Sequence, residues 1–93
     1  MSVIWDPKKA KTNLEKHDIH FSDIEAVFFD PYSLTKEDKN AEGEQRFVTI
    51  GMDSLFRIIV VIYAYKGEDT RLISARKATK KERNAYEKGI RFR

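Results

Sequence analysis

The stretch from Phe47 to Arg76 decides the fold. Its first run, Phe47-Val48-Thr49-Ile50-Gly51-Met52, alternates, with Val48, Ile50 and Met52 on one face and Thr49 and Gly51 on the other. The second, Leu55 to Tyr65, is apolar on both faces apart from Arg57, the pattern of a central strand covered on two sides. The third, Arg71 to Arg76, sets Leu72, Ser74 and Arg76 against Arg71, Ile73 and Ala75. Met52-Asp53-Ser54-Leu55 and Lys66-Gly67-Glu68-Asp69 are hairpin-length connections, so the three runs predict an antiparallel meander.

Working outward, a weaker strand is predicted near Tyr32–Thr35, followed by a polar loop from Lys36 to Gln45. At the start of the chain, Val3-Ile4-Trp5 reads as a short strand stopped by Asp6-Pro7. Asp6 is suited to cap a helix and Pro7 to its first position, where a missing N–H costs nothing. That helix, about 7–17, places Ala10, Leu14 and His17 on one face. Ser22-Asp23-Ile24-Glu25 has the form of a capping box, opening a second short helix that turns Ile24, Val27 and Phe28 inward and ends near Asp30-Pro31. A second box, Thr79-Lys80-Lys81-Glu82, opens a last helix to about Lys88, with Gly89 as its left-handed terminator. Ala78, Glu82, Ala85 and Tyr86 are spaced to touch the sheet. The order β-α-α-β-β-β-β-α predicts an α+β fold: an antiparallel sheet with two N-terminal helices and one C-terminal helix.

A chain of 93 residues with 41% hydrophobic content predicts a single domain over 1–93 with a real core. Its small size limits the surface it can bury, which favours a permanent partner or a dimer. The absence of cysteine excludes disulfide scaffolds, thiol catalysis and cysteine-based zinc sites. The longest apolar run, Ile58 to Tyr65, is too short to span a membrane, and the first residues lack the pattern of a secretory signal. A soluble, cytoplasmic protein is expected. The net charge of +3 is unevenly spread, since residues 66–93 hold ten Lys and Arg against four acids. Such a basic third suits a polyanion or an acidic protein segment, and a solvated helix face is the alternative.

Three blocks carry a family resemblance. Trp5-Asp6-Pro7-Lys8-Lys9-Ala10-Lys11-Thr12-Asn13-Leu14-Glu15-Lys16-His17 with Phe21, Glu44-Gln45-Arg46-Phe47 with Gly51, and Ile73-Ser74-Ala75-Arg76-Lys77-Ala78-Thr79 with Glu82, Arg83 and Tyr86 resemble the BrnT family of toxins in order and spacing. The resemblance spans about residues 3–92. It implies a RelE-like ribonuclease fold and a toxin of a type II toxin–antitoxin system that halts translation by cleaving RNA. It also implies neutralisation by a cognate BrnA-type antitoxin, in a heterocomplex that dimerised antitoxins would make a heterotetramer. That complex would repress its own operon, reaching operator DNA only through the antitoxin. Asp18 departs from the glycine usual in the family after Lys-His, which puts the turn after the first helix in question.

Metal-free RNA cleavage needs a group to take the 2′-OH proton, a group to protonate the leaving 5′-oxygen, and cations on the phosphate. The only histidines are His17 and His20, no third ligand recommends a metal between them, and no cofactor is expected. His17, in the family-like block, is the first acid–base candidate; the competing reading is an imidazole finishing the helix stripe. Arg57, alone in an apolar strand, must pair or emerge into a cleft. Antiparallel pairing would bring Arg76 near it, making a fork for one phosphate, unless Glu82 or Asp53 ties either down. Tyr86 completes the expected catalytic set, with a core anchor as the alternative. Lys9, Lys16, Arg46 and Arg83 are the expected RNA-binding residues. Trp5 reads as a packing residue. A non-catalytic basic module that binds RNA or protein is the competing class, and it predicts RNA bound but intact.

Overall fold

The structure is a computed structural model that describes residues 2–39 and 41–91, and 90 and 91 by backbone alone. Its elements are β1 (Ser2–Ile4), α1 (Pro7–His17), 3-10 turns at Phe21–Asp23 and Glu25–Phe29, β2 (Leu34–Asp38), β3 (Arg46–Met52), β4 (Ile58–Lys66), β5 (Asp69–Lys77) and α2 (Lys80–Arg91). The five strands form one sheet in the order β1-β5-β4-β3-β2. The meander is present, with β3 antiparallel to β4 and β4 to β5, but the second run starts later than its pattern predicted: Leu55, Phe56 and Arg57 lie in the connecting turn, and the strand begins at Ile58. The α+β class and the element order hold, and the short edge strand β1 joins β5 in parallel.

The core lies on the sheet face covered by α1 and the 3-10 turns. Ile19, Phe21, Ile24 and Val27 pack there against Ile59, Val61, Tyr63, Leu72 and Ala75. Leu72 corrects the strict alternation read from the sequence. A β-bulge opposite Ile62 and Tyr63 leaves Ile73 unpaired, so Leu72 turns to the same face as Ala75. On β3 the alternation holds, but the face toward the core carries Thr49 and Gly51. Thr49 is tolerated because its hydroxyl lies 2.8 Å from both the Thr35 hydroxyl and the Tyr63 phenol. Gly51 is required by space, since a Cβ there would sit 2.9 Å from Val27 Cγ1.

Three local readings need correction. The second N-terminal helix is two 3-10 turns, and Ser22 lies inside the first of them with no side-chain cap. Ala-Val-Phe-Phe is too short and too rich in stiff side chains to hold an α-helix before Pro31. Gly89 sits within α2 and takes no positive φ. The polar stretch after Thr35 is not all loop. Lys36, Glu37 and Asp38 continue β2 because β3 offers Val48, Phe47 and Arg46 as partners, and charged side chains suit an edge strand.

The helix that positions the site is well specified. Asp6 accepts from Lys8 N at 2.9 Å and Pro7 occupies the first turn. Asn13 pins α1 to the sheet: its Oδ1 accepts from Ala75 N at 2.9 Å and its Nδ2 donates to Ile19 O at 3.3 Å. Asp18 ends the helix in the left-handed region, φ 56 and ψ 38, the conformation a glycine would adopt freely. The predicted box on α2 is formed, with Thr79 N donating to Glu82 Oε1 at 2.8 Å and Glu82 N to Thr79 Oγ1 at 3.2 Å.

Candidate active site

Between α1 and the bulged part of β5 lies a cleft of about 320 Å³ lined by Lys8, Lys9, Thr12, Asn13, Lys16, His17, Ile73 and Ser74. Helical spacing supplies one wall, because residues 9, 12, 13 and 16 share a face. β5 supplies the other at its bulge, through Ile73 and Ser74. The cleft thus gathers an imidazole, three ammonium groups and the Thr12 hydroxyl, with no carboxylate in its lining. Lys9, Lys16 and His17, three of the expected site residues, meet here.

The cation track continues past the end of α1. Arg57 Nη1 donates to the carbonyl of Asp18, the residue after His17, at 3.2 Å. Its guanidinium is held from behind by Asp53, whose carboxylate is fully buried: Nε lies 2.8 Å and Nη2 2.7 Å from Asp53 Oδ2, and Asp23 Oδ2 lies 3.7 Å away. Asp53 Oδ1 also accepts from Leu55 N and Arg57 N, so one carboxylate organises the whole turn between β3 and β4. A second cleft of about 380 Å³ opens at this turn, lined by Phe56, Arg57, Ile58, Lys77, Ala78 and Arg83. Arg83, expected to bind RNA, is therefore beside Arg57 rather than in the α1 cleft. Among the described residues no group of three His, Asp or Glu side chains is placed to hold a metal ion.

The profile of the family described as "Ribonuclease toxin, BrnT, of type II toxin-antitoxin system" matches residues 5–82, which takes in both clefts apart from Arg83. This chain belongs to the BrnT family. A crystal structure of the Brucella abortus ribonuclease toxin BrnT is similar, with a TM-score of 0.67 and 32% identity over 86% of this chain and 99% of that one. Comparison with curated protein sequences finds no match.

In this BrnT toxin the predicted Arg57–Arg76 fork does not form. Arg57 is drawn to the α1 side of the sheet by Asp18, Asp53 and Asp23. Arg76 pairs with Val60 in the sheet and turns to the α2 side, where Nη1 and Nη2 meet Glu82 at 2.7 and 2.9 Å. The Arg76 guanidinium holds the Glu82 carboxyl down at about 2. Tyr86 is buried, and its hydroxyl donates to Asp30 Oδ2 at 2.5 Å, with Met52 N donating to the same oxygen. Burial first, and then the Asp30 carboxylate, push the phenol above its ordinary value. Tyr86 thus anchors α2 to the sheet, and its hydroxyl faces neither cleft.

Arg46 lies at the far end of the sheet, 3.4 Å from Glu44 Oε1, where Glu44 also binds Arg71. The two guanidiniums share that carboxylate, and the Arg71 hydrogen bond above all lowers its pKa. His20 is exposed and lines neither cleft. Trp5 packs edge-on against Phe21, with ring centroids 6.1 Å apart. Sequence reasoning named Asp53 and Glu82 as the carboxylates that would hold Arg57 and Arg76, but missed Asn13, Ser74, Lys77 and Phe56. For Asn13 the signal was present, a polar residue beside the apolar stripe of α1. The bulge beside Ser74 left no mark in the sequence.

Proposed function

We propose that this BrnT toxin cleaves RNA in the α1–β5 cleft without a metal ion, with His17 as the proton-transfer group and Lys9, Lys16 and Arg57 as the cations on the phosphate. The observation that carries the reading is the meeting of His17 with Lys8, Lys9 and Lys16 in one cleft, with Arg57 held against the next residue. Attack of the 2′-oxygen on phosphorus forms a cyclic phosphate and breaks the bond to the 5′-oxygen. The proton lost by the 2′-OH and the proton gained by the leaving oxygen both have to pass through groups in reach. An imidazole is the side chain suited to that exchange near neutral pH. Ammonium and guanidinium groups lower the cost of the charge that builds on phosphorus. Arg46, Arg76, Arg83 and Tyr86 lie outside this centre, Arg83 contributing to binding along the second cleft.

The same reading makes the partner a BrnA-type antitoxin that covers the cations, the pair together repressing the operon that encodes them. The high positive charge of residues 66–93 supports an acidic or polyanionic partner surface. The test is cleavage of single-stranded RNA in EDTA by purified toxin and by His17→Ala. A loss of 100-fold or more at unchanged melting temperature is expected, in line with one general acid–base group at about 10²–10⁴. RNA bound but left intact, cleavage that stops in EDTA, or full activity in His17→Ala would each defeat the proposal.

A further inference from the structure

The turn between β3 and β4 presents an aromatic ring that packs against no other ring among the described residues. Phe56 is 82% exposed and adopts φ 63, a region that disfavours any side chain and a bulky one most. The turn is nonetheless rigid. Buried Asp53 accepts three hydrogen bonds from Leu55 and Arg57, Phe56 N donates to Asp53 O at 3.1 Å, and Ser54 is tied to Asp23 through both backbone and side chain. A strained backbone, an exposed ring and a turn built to hold both are the marks of a functional element rather than a packing one. The ring rims the cleft that also holds Arg57, Lys77 and Arg83, and among the described residues neither Lys77 nor Arg83 has a carboxylate within ion-pair distance.

We propose that Phe56 is a stacking platform for one unpaired base of single-stranded RNA, whose phosphates lie on Arg57, Lys77 and Arg83 in the adjoining cleft. The proposal rests on the RNA-cleavage reading and extends it, placing substrate beyond the scissile bond. Aromatic rings beside cations are what single strands require, since every base offers a π-face and every link a phosphate. A ring already fixed in place loses little freedom on binding, so its contact converts efficiently into affinity. Arg57 joins the two clefts: it lines one and bonds the residue that follows His17 in the other. A strand lying along α1 and past Arg57 would bring a flanking base over Phe56.

The experiment uses the whole toxin and a short RNA oligonucleotide blocked by 2′-O-methyl groups and carrying 2-aminopurine. Phe56→Gly removes the ring and suits φ 63, so its melting temperature is expected to equal or exceed that of the parent. Its affinity for the oligonucleotide is expected to fall between about 5- and 150-fold, the range of one base–aromatic stack, with the quenching of 2-aminopurine lost. Phe56→Trp is expected to restore both. Equal affinity and equal quenching in Phe56→Gly would overturn the proposal while leaving RNA cleavage by the parent, and hence the His17 reading, intact. If the parent neither binds nor cleaves RNA, both readings fail together. If Phe56→Gly binds RNA normally but no longer co-purifies with the antitoxin, the ring faces protein and the stacking assignment is wrong.

Discussion

Asn13→Ala is the substitution whose cost follows most directly from the structure. The side chain bridges α1 to two buried backbone groups, the N–H of Ala75 at 2.9 Å and the carbonyl of Ile19 at 3.3 Å. Ala75 is 1% exposed and Ile19 is fully buried, so water does not replace the lost partner. Each orphaned buried group costs about 1–2 kcal/mol, and the pair about 2–4 kcal/mol. That is a large share of the ~5–15 kcal/mol that holds a domain of this size together. At about 4–8 °C per kcal/mol, the melting temperature should fall by roughly 10–30 °C. Thermal unfolding followed by circular dichroism measures this, with the exposed Lys11→Ala as a control expected within about 0.5 kcal/mol of the parent. Hydrogen exchange at the Ala75 amide should accelerate in parallel. A drop under about 4 °C with the Ala75 amide still protected would refute the reasoning, because α1 would then be held by something other than this bridge. The result also bears on function, since α1 carries Lys9, Lys16 and His17.

Asp18→Gly should stabilise the protein by about 0.5–1 kcal/mol, because Asp18 sits at φ 56 and places a negative charge at a helix C-terminus; unchanged or lower stability in urea unfolding would contradict this. Glu82 is held at about 2, chiefly by Arg76, against 4.5 ordinarily, so its contribution is complete above about pH 4.5 and is lost as the pH falls toward 2. With Arg76 40% exposed to screening water, that contribution is about 1–2 kcal/mol at most, and Glu82→Gln should flatten this part of the stability curve. Parallel curves for parent and variant between pH 5 and 2 would show that the pair contributes nothing. Raising salt from 50 to 200 mM should weaken RNA binding steeply in the parent and less so in Lys9→Ala, as expected when a phosphate contact is removed; equal slopes would take Lys9 off the RNA path.

Much of the fold could be read from residue pattern because the physics there is local. The meander follows from alternation and turn spacing, the α1 start from Asp6-Pro7, and the α2 start from Thr79 and Glu82, each a contact within a few residues. The readings that failed depended on neighbours distant in the chain. Ser22 has capping chemistry but lies inside a turn that the core needs tight. Lys36–Asp38 looks like loop until β3 supplies its hydrogen bonds. The site divided in the same way: His17, Lys9 and Lys16 share a helix, and their meeting in one cleft follows from helical spacing. The fate of Arg57 and Arg76 depended on which face each side chain leaves by and which carboxylate waits there.

Sequence alone determined the α+β class, the strand order of the meander, the helix that carries His17, and the family blocks, since periodicity and short-range hydrogen bonding are written residue by residue. Tertiary structure decided that β1 joins in parallel, that a bulge turns Leu72 inward, and that Arg57 and Arg76 part to opposite sides of the sheet. The reason is that an ion pair or a bulge is chosen by competition among partners brought together only on folding, and Asp53 and Glu82 are the partners that won.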